Sequence, residues 1–245
     1  MPSGELLPEV ARALDEAGID IAALGLAWAR ATPAVVLVPA FGLRALPTAA
    51  RVVIALALAL AIYPAMTATA LPTQTPWALA AVLEVMHGLP IAISAAVPLW
   101  AATMMGGMID GLRGAQEGAQ VPVVEGKTTP LGVAFSILAS SIFLGTGGPA
   151  RIAHALATAP LPLHPVVTAA IQIAGGISIA VAIGAPLLAS AIVLEIAGAL
   201  FARASSPAQV HSLVAPLKSL ALLVIVAIVF ERIAGLMALV VRAAP

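Results

Sequence analysis

Long stretches of this chain carry no charged residue, among them 52–83, 128–150 and 152–194. A bilayer core of about 30 Å is crossed by about 20 helical residues, so each run is long enough to span it. The third is too long for one crossing. Its 43 residues would reach roughly 65 Å as a straight helix at about 1.5 Å per residue. That run must break, turn back or leave the bilayer, and the residues that allow this are present. Pro160, Pro162 and Pro165 form one stop, and Gly184 with Pro186 offers a kink. Strands are not expected. The runs lack polar/apolar alternation, and backbone groups in lipid must bond within their own segment.

The rest of the 245 residues agrees. Hydrophobic residues make up 62% and charged residues 9%, with a mean hydropathy of +1.11, whereas a soluble domain carries roughly 25% charge. Eleven basic and eleven acidic residues cancel, which excludes a nucleic-acid binder working through a strong basic field. There is no cysteine, so disulfides, thiolate zinc sites and Cys nucleophiles are excluded as well. The first twenty residues hold Glu5, Glu9, Asp15, Glu16 and Asp20 against Arg12. They are not the basic opening of an export signal, and this acidic lead-in favours an N-terminus outside the cytoplasm.

An all-α, multi-spanning membrane protein follows, read as one helical domain over 1–245 and built from long kinked helices and helical hairpins. Helices are expected over 18–43 (bent near Pro33 and Pro39), 48–70, 76–118, 129–158, 165–203 and 207–242. Loops fall at Leu71 to Pro76, Pro122 to Pro130 and Pro160 to Pro165. The apolar residues are mostly Ala, Leu, Val and Ile, with Gly at 20 and aromatics at 4%. A GC-rich genome would produce that composition. Small residues also let helix backbones approach one another, and on that reading much of the surface touches protein rather than lipid.

The most informative stretch runs from Met104 to Gly118. In a helix, Gly107, Gly111, Gly114 and Gly118 share one face. Asp110, Arg113 and Glu117 form a neighbouring stripe whose spacing permits ion pairing. Each interior glycine weakens a helix by up to about 1 kcal/mol. Two readings stand: a close-packing glycine face at a solvent-exposed helix end, or a deformable element that closes a passage. On the second, Met104, Met105 and Met108 are soft plugs, and Gly106, Gly107, Asp110, Gly111, Arg113 and Gly114 complete the pore or gate segment.

Isolated charges in the apolar runs are the second signal: Glu84, Glu195, Arg203, Lys218 and Glu231/Arg232. A charge near the bilayer centre costs at least about 2.5–3.5 kcal/mol and normally has a partner or a wet cavity. Either these sit at helix ends and reach the headgroups, or they pair across helices, with Glu195 and Arg203 or Lys218 as one set.

Enzyme signals are absent. Gly126-Lys127-Thr128 ends like a phosphate loop, but the first glycine position holds Val121. Gly176-Ile177-Ser178 resembles an intramembrane protease turn only loosely. His87, His154, His164 and His211 lack metal-ligand spacing, and no cofactor is expected. A secondary transporter for a small solute is the main alternative. It would use matching interrupted helices in two halves, and no such pair is visible.

The order of these features resembles the T component of the type III secretion export apparatus, the family that includes SctT, YscT, SpaR and the flagellar FliR. The resemblance covers about residues 25 to 235. It begins with Trp28, Arg30, Pro33, Pro39, Phe41, Pro47 and Arg51, then Ala61-Ile62-Tyr63-Pro64. Glu84 with Gly88 follows, then Gly106-Gly107-Met108-Ile109-Asp110 and Arg113-Gly114-Ala115. Thr129-Pro130-Leu131-Gly132 and Phe143 through Gly147-Gly148 come next. Pro186, Glu195, Arg203, Pro207 and Pro216-Leu217-Lys218 complete it. The Ile-Asp/Arg-Gly version is more similar to the injectisome branch than to the flagellar one. Two departures are Pro149, in place of a histidine after the paired glycines, and the lack of Asp-Pro before Pro130.

The resemblance implies a non-enzymatic subunit of an export gate in the bacterial inner membrane. Its partners would be R-type and S-type subunits in a helical, funnel-shaped hetero-oligomer, with the U-type switch protein and the large V-type subunit nearby. Much of the assembly would be lifted out of the bilayer plane, with membrane lipid as a further partner, and unfolded secreted proteins would pass through its centre as cargo. The segment matching about 104–118 would help to close the pore.

Overall fold

Prolines and glycines divide the chain into seven helices among the described residues: α1 (Ile21–Leu37), α2 (Thr48–Thr67), α3 (Trp77–Leu112), α4 (Pro130–Gly145), α5 (Gly148–Thr158), α6 (Pro165–Ala204) and α7 (Val210–Ala243). The computed structural model describes Arg12, Glu16 and residues 18–41, 47–67, 75–114, 129–160, 162–204 and 210–244. No strand occurs among them. Glu117, Gly118, Pro122, Pro207 and most of the first twenty residues lie outside the described set.

Local chemistry sets the ends. Asp20 starts α1 by accepting a hydrogen bond from the Ala22 N–H at 2.8 Å. The helix carries Pro33 inside it and stops at Leu37, because Val38 precedes Pro39 and takes an extended backbone, φ −79° and ψ 114°. Pro39 therefore ends this helix, where a bend and continuation to 43 were expected. The region 129–158, expected as one helix, is two. Gly147 adopts φ +75°, the left-handed region that favours glycine, and α4 and α5 are bent by 66° at this break. Gly148 leaves room for the Phe143 ring, whose nearest carbon would lie 2.3 Å from any Cβ there. Pro149 then occupies the first turn of α5, where its missing N–H is harmless.

Contacts fix the helix directions. Trp77 donates from its indole N–H to the Ala22 carbonyl (3.2 Å), and Arg30 meets Glu84 further along both helices. The pairing advances the same way on each, so α1 and α3 run parallel. Val97 against Gly176, then Met105 and Met108 against Gly184, make α6 parallel to α3 as well. Between α1 and α3, α2 returns, with the Asp20 N–H donating to Tyr63 Oη near its end at 2.9 Å. Between α3 and α6 the chain returns through the bent α4–α5 pair.

The central helix is α3, which packs against α1, α4, α5, α6 and α7. Its most apolar stretch is 56% buried, against 22–28% for those of α2, α6 and α7. Small side chains make this possible. Ala27, Ala31 and Ala34 of α1 and Ala92, Ala95 and Ala96 of α3 are fully buried, so the backbones lie close. Among the described residues four helices are long and apolar enough to cross a membrane, and the bent α4–α5 pair makes up to five. In α6 and α7 large apolar residues such as Ile171, Val193, Leu200, Ile228 and Leu239 are exposed, as suits a chain immersed in lipid or covered by other membrane proteins.

Candidate functional site at the glycine-rich end of α3

Met104 to Leu112 form the last turns of α3, and Gly114 closes them with φ +75°. A Cβ on Gly106 would lie 2.5 Å from the Leu131 carbonyl oxygen and 2.6 Å from Gly132 Cα. On the facing helix, a Cβ on Gly132 would lie 3.3 Å from the Thr103 carbonyl oxygen. The two glycines thus form the crossing point of α3 and α4. The other glycines behave differently. A Cβ on Gly107 would meet only Thr129 Oγ1, at 3.8 Å, and on Gly111 or Gly114 nothing within 4 Å. Gly111 and Gly114 are therefore not packed against any described residue, and Gly107 is in ordinary contact with Thr129. Met105 is fully buried, Met108 half-buried and Met104 exposed.

Asp110, wholly buried, links this segment to its surroundings. The Leu131 N–H donates to Asp110 Oδ2 at 2.6 Å, and Arg113 Nη1 donates to Oδ1 at 2.8 Å. Leu131 is the second residue of α4, and the first-turn N–H groups of a helix have no partner within it. Thr129, the residue at the cap position, makes no capping bond with its side chain. Asp110 takes that place from a different helix, its carboxylate favoured by the α4 dipole. Arg113 also donates from Nε to Ser219 Oγ of α7 at 3.3 Å. Beside Ser219, Lys218 donates from Nζ to Glu195 Oε2 of α6. Polar atoms of α4, α3, α7 and α6 thus meet around the end of α3.

The remaining charges divide. Glu84 lies on the other half of α3, buried, where Oε2 accepts from Arg30 Nε at 2.5 Å. Arg30 Nη1 further donates to the Leu156 carbonyl at 3.0 Å, and His87 Nε2 lies 2.8 Å from that of Ala159. A Cβ on Gly88 would lie 2.0 Å from the Arg30 carbonyl oxygen, so only glycine lets α1 approach closely enough. Glu195 meets Lys218, while Arg203 stands exposed in the last turn of α6.

Sequence reasoning did not pair Arg30 with Glu84, although Arg30 is the one charge between Asp20 and Arg44 and so needed a partner. Ser219 carried no signal, since a lone serine in an apolar run is unremarkable. Among the described residues no three His, Asp or Glu side chains gather as a metal would require.

Fold and site together define a multi-pass helical membrane protein in which described polar residues tie helices to one another. The chain belongs to the family of bacterial export proteins, family 1, which includes FliR, SctT and YscT; the family's model matches residues 21–243. No curated protein matches the chain. It is thus a structural subunit of a protein-export apparatus and takes its place in a membrane assembly with other export components.

Proposed function

We propose that this subunit forms part of the gate through which unfolded proteins cross the bacterial inner membrane, in a type III secretion apparatus of the injectisome-like branch. R-type and S-type subunits complete the passage, and the U-type and V-type components adjoin it. The subunit performs no chemistry; other components and the proton gradient supply the energy. The observation that carries this reading is the contrast within the last turns of α3. Gly106 is locked against Gly132, while a Cβ on Gly111 or Gly114 would meet no described atom within 4 Å. One end of the segment is anchored, and the other has room to rearrange. Family membership supports the export role.

The test is to replace with phenylalanine either Gly111, which is exposed and has no described atom within 4 Å of an added Cβ, or Gly107, which is half-buried beside Thr129. Membrane insertion should be unchanged, while secretion or ion leakage through the assembled apparatus changes. Normal secretion with no ion leak in both variants would refute the gate.

A further inference from the structure

We propose that Asp110 and Arg113 are positioning residues that hold the end of α3 closed, and that the bond from Arg113 to Ser219 is the link released on opening. This inference rests on the gate reading above and adds to it the part of the chain that controls the segment. The links around the end of α3 are of two kinds. Asp110 is wholly buried and its bond to the Leu131 N–H is short, 2.6 Å. Parting it would strand a carboxylate and a helix-start N–H in an apolar interior, a costly change. The Gly106–Gly132 crossing lies on the same side and permits no sliding. These are fixed points.

Arg113 is different. Its side chain is 16% exposed, its bond to Ser219 is 3.3 Å, and a Cβ added on nearby Gly111 or Gly114 would meet no described atom within 4 Å. If that bond breaks, Arg113 keeps its partner Asp110, so no charge is left alone. Ser219 lies three residues after Pro216, which removes a backbone hydrogen bond from α7. Lys218, beside it, is tied to Glu195 on α6. A shift of the α6–α7 hairpin therefore acts directly on a polar link that can part without leaving a charge alone. Partners seated on the exposed apolar faces of α6 and α7 gain a mechanical route to the glycine-rich segment.

The experiment uses the full apparatus in its native membrane. Ser219→Ala and Arg113→Gln are compared with Ser219→Thr, which keeps the hydroxyl, and ion leak is read per assembled complex. Ser219→Ala should leak roughly tenfold more than the parent, the factor that about 1.4 kcal/mol represents, with normal assembly; Arg113→Gln should also leak more per complex, with lower assembly because buried Asp110 loses its cation. Ser219→Thr should match the parent. A parental leak in Ser219→Ala overturns the proposal. So does reduced assembly without extra leak per complex, which makes the bond structural only. The gate reading fails separately: if Gly111→Phe changes neither secretion nor leak, the gate is wrong. If it changes either while Ser219→Ala does not leak, the gate stands and only the release link is wrong.

Discussion

Glu84 Oε2 accepts a hydrogen bond from Arg30 Nε at 2.5 Å, and both side chains are less than a tenth exposed. This pair joins α1 to α3, and its second donor, on the Leu156 carbonyl, brings in α5. Removing one member of a buried pair costs about 3–5 kcal/mol, because the other is left as an uncompensated charge. Arg30→Met or Glu84→Leu alone should sharply reduce folded protein in the membrane. The double replacement should recover much of the loss. Protease resistance of the detergent-extracted protein measures both.

Gly88 and Gly111 should respond in opposite ways to the same added methyl group. At Gly88 the new Cβ would stand 2.0 Å from the Arg30 carbonyl oxygen, backbone that cannot rotate away. Overpacking of this kind costs about 1–3 kcal/mol or more, and the parting of α1 from α3 would also stretch the ion pair. At Gly111 nothing lies within 4 Å, so alanine gains helix propensity of up to about 1 kcal/mol. Thermal unfolding in detergent should show Gly88→Ala melting lower than the parent and Gly111→Ala no lower.

Asp110 can be divided into its two functions. Asp110→Asn keeps an oxygen for the Leu131 N–H but weakens the bond to Arg113, whereas Asp110→Ala removes both acceptors. The alanine variant should lose at least about 1–3 kcal/mol, the cost of an unsatisfied buried donor; the asparagine variant should lose less. Hydrogen exchange at the first turn of α4 distinguishes them, with the Leu131 amide losing protection in Asp110→Ala.

Arg151 Nη2 donates to the Val241 carbonyl of the last turn of α7 at 3.0 Å, one of the carbonyls that a helix end cannot satisfy itself. Arg151→Ala should fray α7 after Met237 and leave α5 in place. Faster amide exchange over 238–243, with the rest of the helix unchanged, is the expected result.

Much of this architecture was legible as a string. Charge-free runs and proline stops located α2, α3, α6 and α7 to within a few residues, apart from the last turns expected of α3. The reason is that a membrane leaves the backbone no choice but to bond to itself, and proline breaks that ladder wherever it stands. The break at Gly147 was less accessible. A glycine pair in an apolar run is compatible with a continuous helix, and only the Phe143 ring packed over Gly148 shows why the chain turns there.

The site divides along the same line. That Gly107, Gly111 and Gly114 share a face follows from 3.6 residues per turn, and so does the reach from Asp110 to Arg113. Periodicity says which residues point together but not what they meet. Gly106, off that stripe, proved to be the one locked against α4, and Asp110 serves a helix that begins twenty residues later. Composition and spacing determined helices, spans and a glycine-rich end on their own, because those depend on local bonding and on solvent. Only the tertiary structure decided which charges meet, which glycine is a contact and which is free space, because those depend on distances between segments remote in the chain.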